Sequence, residues 1–291
     1  MVLEYTINKN DNFINLNELL KNYFLISDRL LVKLKHGQKI FVNGEKASVR
    51  RVLKEGDFVE INLDFLENNS NIVPTKMELD ILFEDEAMLI INKPAGVPVH
   101  PSMDHFEDSL SNGVRFYFHE IDLKRKIRPV NRLDKDTSGI VIFAKNEYVQ
   151  ECLVKQMKTN TFVKEYIAVC SGSFDCKAGT IDAPIARKEG SIIERCVSEA
   201  GDKAVTHYEV LKIANNYSVV KCILETGRTH QIRVHLAHIG HPLLGDTLYG
   251  TSSPLIPRQA LHAYKVKFIH LISRKPIELT AKIPNDIENI I

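Results

Sequence analysis

Two charged side chains that could do chemistry, Arg132 and Asp134, stand two residues apart in the string RPVNRLDKDTSGIVIFAKN, residues 128–146. The run from Ile140 to Ala144 is short, β-branched and aromatic, which predicts a buried strand. Asp134 would then lie on a polar turn at the edge of a core strand, where a rigid scaffold can position a reactive group. Arg132 and Lys135 flank this carboxylate and favour its ionised form. The pattern indicates a site that attracts a phosphate backbone and acts on a group attached to it.

The same string resembles the signature of the pseudouridine synthases. It is most similar to that of the RluA-type group, which modifies ribosomal and transfer RNA. The shared pattern is RLD, a basic residue, an acidic residue and TSG. In that family the aspartate of RLD is catalytic, which implies this role for Asp134. The family pattern begins with histidine, whereas this chain has Asn131, which can still hydrogen-bond and position the turn. We expect Asn131 and Arg132 to contact the RNA, with the Arg132 guanidinium stacking in the place that the target base leaves.

Two further strings fit the same family. NKPAGVPVHP, residues 92–101, resembles its first motif, and we interpret it as a β-turn that shapes the core. KEYIAV, residues 164–169, is a predicted strand that resembles the second motif, in which the tyrosine packs on the target base. The resemblance implies that role for Tyr166. A phenol face suits stacking on uracil, and its hydroxyl could exchange a proton.

The string GRTHQIR, residues 227–233, matches the third motif of the family strongly. Its last arginine pairs with the catalytic aspartate, which implies that Arg233 pairs with Asp134, with Arg228 as the alternative partner. We predict a helix that is capped by Thr229 and ends at Gly240.

Four histidines in and after this string raise the alternative of a metal site: His230, His235, His238 and His241. His235 and His238 lie three residues apart, so one helical face could present both to a metal ion. No cysteine or carboxylate completes a recognisable ligand set. We therefore expect histidines that hydrogen-bond or face RNA, and neither a metal nor another cofactor.

The N-terminal 66 residues form a predicted small α+β domain. Helical patterns at residues 16–24 and 27–37 precede a hairpin turn at Asn43-Gly44 and an alternating strand at 58–63. This order resembles the S-four RNA-binding domain, which is named after a small-subunit ribosomal protein. In that domain the second helix and a nearby loop meet RNA.

Polar residues 67–77 predict a linker, and residues 78–291 predict the catalytic domain. The resemblance implies an α+β pseudouridine synthase fold, with a mixed, mainly antiparallel central sheet and an RNA cleft across it. Besides Asn131 and Arg132, the residues that we expect to bind RNA are Arg50, Arg51, Arg128, Lys135, Lys164, Arg228 and His230.

Composition restricts the function only weakly. Of 291 residues, 44% are hydrophobic and 26% charged, with a formal net charge of +1, as in ordinary globular proteins. The five cysteines form no CxxC pair, which argues against a zinc or thioredoxin-type motif and fits a reducing compartment. The N-terminus lacks a signal pattern, and no apolar run reaches membrane-spanning length. We therefore expect a soluble cytoplasmic protein, acting as a monomer.

The resemblance implies isomerisation of uridine to pseudouridine, which consumes nothing and agrees with the absence of P-loop or Rossmann glycine patterns. Asp134 would either attack the anomeric carbon or remove the neighbouring sugar proton. We expect a large-subunit ribosomal RNA target, because a second RNA-binding domain suits a large folded substrate; transfer RNA is the alternative. Two other functions stay open: a non-catalytic RNA-binding assembly factor, and a metal hydrolase that uses Asp134, Asp136 and the histidine segment.

Overall fold

The computed structural model describes residues 1–69, 71–159 and 161–291. The strands are β1 (Val2–Thr6), β2 (Ile40–Val42), β3 (Glu45–Lys46), β4 (Phe58–Asn62), β5 (Ile81–Glu84), β6 (Met88–Lys93), β7 (Ser138–Ala144), β8 (Val163–Ser171), β9 (Ala178–Asp182), β10 (Ile185–Arg187), β11 (Arg195–Val197), β12 (Val205–Ile213), β13 (Tyr217–Leu224), β14 (Leu261–Ile269) and β15 (Pro276–Thr280). The helices are α1 (Leu16–Glu18), which continues as a π-helical turn (Leu19–Tyr23), α2 (Asp28–His36), α3 (Leu110–Glu120), α4 (Glu147–Gln156), α5 (Gln231–His238) and α6 (Asn285–Glu288).

Within the described residues, nine strands form one large sheet in the order β5-β6-β7-β14-β8-β13-β12-β9, with β15 paired to β14 outside this path. Strands β7 and β14 pair in parallel, and the other neighbours pair antiparallel. The predicted α+β class and the mixed, mainly antiparallel sheet are confirmed. The start of β7, which follows the Asp134 turn, therefore lies at the middle of the sheet.

Glycine is required where β7 enters the sheet. Gly139 has φ +112°, and a Cβ added there would lie 2.3 Å from the carbonyl oxygen of Ala263 in β14. All seven residues of β7 are buried, so the predicted strand from Ile140 to Ala144 is confirmed and begins two residues earlier, at Ser138. The Ser138 hydroxyl also lies 2.9 Å from Nδ1 of His262 in β14. These contacts fix the end of the turn that carries Asp134.

The predicted cap of α5 is wrong. The helix begins at Gln231 rather than after Thr229, and its N-cap is His230 with φ 57°, in the left-handed region. The Gln231 side-chain oxygen accepts hydrogen bonds from the Arg228 amide at 3.0 Å and from the Thr226 hydroxyl at 2.8 Å. Gln231 thus organises the loop that precedes α5 and contains His230.

A second, four-stranded sheet in the order β1-β4-β2-β3 lies at the N-terminal end of the described chain. Two side chains cap the helices of this unit: Asn15 accepts from the Glu18 amide at 3.1 Å, and Ser27 accepts from the Leu30 amide at 3.2 Å. Strand β1 was not predicted, because its pairing partner β4 lies more than fifty residues later, as in the pair of Leu3 with Ile61. Pairing at that separation leaves no local pattern.

The N-terminal sheet packs on the large sheet. One cluster of buried apolar side chains includes Val59 and Ile61 of β4 together with Ile142 of β7 and Phe268 of β14. Lys33 of α2 forms ion pairs across this junction, at 3.3 Å to Glu147 and 3.5 Å to Glu67. In the part of the chain that the structure describes, no helix combines the length and apolarity needed to cross a bilayer.

The predicted linker begins inside this junction rather than in solvent. Glu67 is only 9% exposed and receives both terminal nitrogens of Arg128, at 2.7 and 2.6 Å. Asn69 is buried and accepts the Ile127 amide at 2.8 Å. Ser70, in the same predicted linker, lies outside the described residues. The expectation that Arg128 binds RNA is corrected, because its guanidinium is buried and already paired with a carboxylate.

Candidate active site

Asp134 and Arg233 meet although 99 residues separate them in the chain. Arg233 Nη1 donates to Asp134 Oδ2 at 3.0 Å, and its Nε and Nη2 donate to the two oxygens of Asp246 at 2.7 and 2.8 Å. The Asp246 side chain is 1% exposed, whereas that of Asp134 is 25% exposed. The guanidinium is therefore anchored on its buried side by one carboxylate and offers its remaining edge to the other.

The charge on Arg233 is permanent. Burial by itself would lower the pKa of the guanidinium, but the hydrogen bonds and negative charges of Asp246 and Asp134 outweigh burial and raise it. A fixed cation at 3.0 Å holds Asp134 in one orientation. The structure thus pairs Asp134 with Arg233, and Arg228 instead reaches Asp202 at 3.2 Å and the Lys203 carbonyl oxygen at 3.0 Å.

The backbone around Asp134 is held from several sides. The Thr137 amide donates to the Asp134 carbonyl oxygen at 3.1 Å, which closes the turn. Lys93 Nζ donates to the Lys135 carbonyl oxygen at 2.8 Å, and Arg258 Nη1 donates to that of Asp136 at 2.9 Å. Two successive carbonyl groups of this loop, those of Lys135 and Asp136, are thus bound by buried basic side chains, which fixes the loop against the sheet.

Lys93 is the residue whose importance the sequence concealed, because its motif was interpreted as a plain turn. It is fully buried at the end of β6, and its amine also donates to the carbonyl oxygens of Pro94 and Val97 at 2.8 and 2.7 Å. Burial lowers the pKa of Lys93 to about 7; Arg258 acts in the same direction, and Asp136 opposes it. One side chain therefore ties the first motif to the loop that carries Asp134.

Tyr166 lies on β8 and lines the same cleft as Asp134. Its side chain is buried, and burial raises the pKa of the phenol, with the negative charge of Asp134 adding to the effect. The hydroxyl is accordingly neutral at physiological pH. Lys164 stands two residues earlier on the same strand, lines the cleft as well, and has a pKa that burial lowers.

His230 is close to the carboxylate but not bonded to it. Its Nε2 lies 3.8 Å from Asp134 Oδ2, and its Nδ1 lies 2.7 Å from the Tyr249 hydroxyl, which also receives the Arg195 amide at 2.8 Å. Burial lowers the pKa of His230; Asp134 opposes this effect, and Arg233 and Arg195 reinforce it. A non-glycine residue in the left-handed region costs about 1–3 kcal/mol and is common at functional sites.

Asn131 does not face the cleft with its amide, as the expected RNA contact requires. Its Nδ2 donates to the Ile140 carbonyl oxygen and its Oδ1 accepts the Ile142 amide, both at 2.9 Å. Because both polar atoms are used by the backbone of β7, the expectation of a direct RNA contact is corrected. Asn131 instead fixes the strand-like segment before Asp134 to the central sheet.

The remaining predicted residues fall into three groups. Arg132 and Arg228 line the cleft, and Arg132 is exposed. The Lys135 side chain is exposed and does not line the cleft, although its backbone carbonyl accepts a hydrogen bond from Lys93. Arg50 and Arg51 lie far along the chain in the N-terminal unit, where Arg50 is exposed and Arg51 is 3.9 Å from Asp57.

The cleft encloses about 420 Å³, a volume typical of small-ligand sites. It is lined by basic, aromatic, polar and apolar residues, and the set includes Asn131, Arg132, Leu133, Asp134, Lys164, Tyr166, Arg228 and His230. Arg233 lies at the deep end, in an adjoining pocket that also contains Asp134 and Tyr166. The arrangement can receive an anionic ligand, stack a planar ring and present one carboxylate to it.

The histidines of the third motif do not converge. Within residues 1–69, 71–159 and 161–291, no three side chains of His, Cys, Asp or Glu are grouped as ligands for a metal ion. His235 is buried, with its nitrogens 2.9 Å from the Thr206 hydroxyl and from the Ala183 carbonyl oxygen. His241 stacks on Phe174 with ring centres 3.8 Å apart. His235 and His241 are thus engaged in contacts within the protein rather than grouped as a ligand set.

Sequence reasoning identified Asp134, Tyr166 and Arg233, which the structure brings to one cleft, and missed the residues that anchor them. Asp246 ends the string LLGD, 13 residues after Arg233, and its acidic type near an expected buried arginine was the available signal. Tyr249 lies under the Arg233 guanidinium, 5.0 Å from the ring centre, and no sequence pattern pointed to it. Arg258 is isolated in the sequence and is brought to the Asp134 loop only by β14.

Comparisons with known proteins agree on one family. A family model described as RNA pseudouridylate synthase matches residues 87–238. The chain is 42% identical to YhcT of Bacillus subtilis (strain 168), named an uncharacterized RNA pseudouridine synthase, over 99% of this chain and 96% of that protein. It is 36% identical to ribosomal large subunit pseudouridine synthase D of Xanthomonas campestris, over 90% of this chain and 82% of that protein.

A solved structure shows the same fold. Human RNA pseudouridylate synthase domain containing 1 superposes with a TM-score of 0.58 at 25% identity, over 71% of this chain and 84% of that chain. The family match spans Asp134, Tyr166 and Arg233 and ends before Asp246.

Proposed function

Because this chain belongs to the RNA pseudouridylate synthase family and is therefore an isomerase that acts on RNA, we propose that it converts uridine to pseudouridine with Asp134 as the catalytic carboxylate. The observation that carries this proposal is the contact of Asp134 with Arg233 in a cleft that Tyr166 lines. One partly exposed carboxylate, fixed by a permanent cation beside a buried aromatic ring, suits chemistry on the sugar of a stacked nucleoside.

The reaction conserves all atoms of the substrate. The bond between the anomeric carbon and uracil N1 breaks, the uracil turns within the cleft, and its C5 bonds to the same sugar carbon. C5 then loses a proton, and N1 gains one. Asp134 either attacks the anomeric carbon or removes the neighbouring sugar proton, and both routes need an ionised carboxylate held near the sugar. The Arg233 hydrogen bond supplies that position.

Tyr166 is proposed to hold the detached uracil by stacking. The target base must leave its helix to enter the cleft, at a cost of a few kcal/mol. Base–aromatic stacking returns about 1–3 kcal/mol. Arg132, exposed at the rim of the cleft, is placed to stack its guanidinium in the vacated position. Because the Tyr166 phenol is neutral, it can donate or relay a proton but is not a resting base.

For the substrate, we propose large-subunit ribosomal RNA. Several relatives bear the name ribosomal large subunit pseudouridine synthase D, which supports this choice. The N-terminal unit is proposed to be an S-four-like RNA-binding domain, in which the exposed Arg50 and neighbouring Arg51 contact RNA outside the cleft. Lys33 is unsuited to that task, because it pairs with Glu67 and Glu147. We further propose that the protein is cytoplasmic, which the five free cysteines support, and that it acts as a monomer.

The test is tritium release from RNA that carries the label at uracil C5. Ribosomal RNA and transfer RNA from cells that lack this protein serve as parallel substrates. Wild-type protein should release tritium from ribosomal RNA, and Asp134→Asn should be slower by about 10²–10⁴-fold or more. Asp108→Asn is the matched control, because this carboxylate is exposed and absent from the cleft.

Each outcome has a defined meaning. Release by Asp134→Asn at the wild-type rate would refute the catalytic role. Better release from transfer RNA would correct the substrate. Binding without release from either RNA would favour a non-catalytic assembly factor. Activity that a chelator abolishes would favour the metal hydrolase, whereas the proposed isomerase is indifferent to chelation.

A further inference from the structure

A second cavity, of about 440 Å³, lies next to the cleft and is lined by four arginines: Arg132, Arg187, Arg195 and Arg228. One carboxylate, Asp202, shares the lining and pairs with Arg228 at 3.2 Å. Among the described residues, no other carboxylate lies within ion-pair distance of these arginines. We call this set the four-arginine cavity. A concave surface with such an excess of guanidinium groups is suited to an anionic ligand.

The four-arginine cavity is continuous with the cleft. Arg132 and residues 227–229 contribute to the walls of both. Arg195 is also near enough to His230 for its charge to lower the pKa of that imidazole, and His230 lies 3.8 Å from Asp134. A polymer whose reacting unit occupies the cleft would therefore extend through the cavity.

The hairpin of β10 and β11 holds two of these arginines in an unfavourable arrangement. Arg187 and Arg195 are direct partners in the strand register. Like charges directly opposite one another destabilise a strand pair. Next to this pair, Lys188 forms an ion pair with Glu194 at 3.1 Å. The hairpin therefore neutralises the charge of Lys188 but leaves the charges of Arg187 and Arg195 opposite one another. A ligand that bridges Arg187 and Arg195 would relieve their repulsion.

We infer that the four-arginine cavity binds the phosphodiester backbone of the substrate RNA beside the nucleotide that enters the cleft. This inference rests on the proposed function. Guanidinium groups bind phosphate oxygens in bidentate pairs, and they carry no base preference. Asp202 orients Arg228 and, being largely exposed, repels the incoming phosphate only weakly. The cavity thus sets the affinity and register of the RNA, while Asp134 performs the chemistry.

The test compares Arg187→Gln with Lys188→Gln, which removes the same charge from the same hairpin outside the cavity. Binding is measured in the Asp134→Asn background, so that turnover does not interfere. Arg187→Gln should weaken RNA binding about 3- to 10-fold and reduce the salt slope of log Kd by about 1. Lys188→Gln should change neither by a comparable amount. In the active protein, Arg187→Gln should raise the half-saturating RNA concentration and leave the maximal single-turnover rate within about two-fold.

Arg187→Glu separates RNA binding from a structural role. It replaces the repulsion by a cross-strand ion pair with Arg195, so the melting temperature should stay equal or rise while RNA affinity falls further. Equal effects of Arg187→Gln and Lys188→Gln, or a lower maximal rate at unchanged affinity, would overturn the inference. If wild-type protein releases no tritium from any RNA, the proposed function fails instead. The binding series still tests the cavity by itself.

Discussion

Replacing Asp246 by asparagine should weaken the fold and slow the reaction together, because this carboxylate anchors the cation that positions Asp134. Arg233 gives two of its hydrogen bonds to Asp246, at 2.7 and 2.8 Å, and one to Asp134, at 3.0 Å. Asparagine offers one oxygen and turns an amino group toward the guanidinium. Removing one partner of a buried ion pair costs about 3–5 kcal/mol, and we take about 3 kcal/mol because one acceptor survives.

That loss corresponds to a fall in melting temperature of roughly 6–12 °C. The rate should fall by about 10²-fold, the effect expected when a catalytic group moves by about 1 Å. Thermal unfolding and single-turnover tritium release at saturating enzyme measure the two quantities. Binding of RNA should change little, since Asp246 is 1% exposed and does not line the cleft.

Glu67→Gln is the matched control. Glu67 forms the same bidentate, buried pair with Arg128, at 2.7 and 2.6 Å, outside the cleft. It should lose a similar amount of stability and keep the wild-type rate. An Asp246→Asn protein that reacts at the wild-type rate would refute the anchoring argument. Equal slowing in Glu67→Gln would show that general loosening, not the position of Arg233, controls the rate.

Three further predictions concern residues around the cleft. Asn131→Ala should lower the free energy of unfolding by about 1–3 kcal/mol, because two backbone groups of β7 lose their hydrogen-bond partner, and it should leave RNA affinity unchanged. Thermal unfolding measures the stability and filter binding measures the affinity. A variant with wild-type stability and weaker RNA binding would contradict this prediction. Tyr166→Phe should bind RNA like wild type, whereas Tyr166→Ala should lose about 1–3 kcal/mol of binding energy; equal affinities of the two variants would exclude stacking. For Lys93, whose pKa falls from 10.5 to about 7 on folding, the unfolded chain binds more protons between these values, so its contribution to stability rises with pH across that window. The difference in unfolding free energy between wild type and Lys93→Met should therefore shift in favour of wild type by on the order of 3–5 kcal/mol from pH 7 to pH 10.5, and denaturant titrations that show a constant difference would contradict the shift.

Local patterns were sufficient for much of the secondary structure. Asn15, Ser27 and Asn146 are residue types that favour the start of a helix. In the structure each of them precedes a helix, and its side chain accepts a hydrogen bond from a backbone amide of the first turn. The start of α5 was mispredicted because the Gln231 amide organises its loop through contacts with Arg228 and Thr226. The same side chain donates to the Val205 carbonyl oxygen at 2.9 Å and to the Thr206 hydroxyl at 3.0 Å. Capping rules consider only neighbours on the chain and therefore miss these distant partners.

The reactive groups were accessible from the sequence for a different reason. Asp134, Tyr166 and Arg233 each lie within a short string that resembles a motif of the family, and the structure brings all three to one cleft. Strings of this kind also mislead: Arg128 stands beside the signature, yet its guanidinium is buried against Glu67. Proximity in sequence does not indicate the direction in which a side chain points.

The sequence by itself determined the α+β class, the family and three groups that line one cleft, because it contains short motifs that resemble those of a known family, and such motifs are local. Only the tertiary structure decided which carboxylate anchors Arg233, which cations hold the Asp134 loop, and that Arg187 and Arg195 share a cavity with the rim of the cleft. These contacts join residues that are far apart in the chain. Strand order and burial decide which charged side chains come close together, and neither can be read from the residues next to them in the chain.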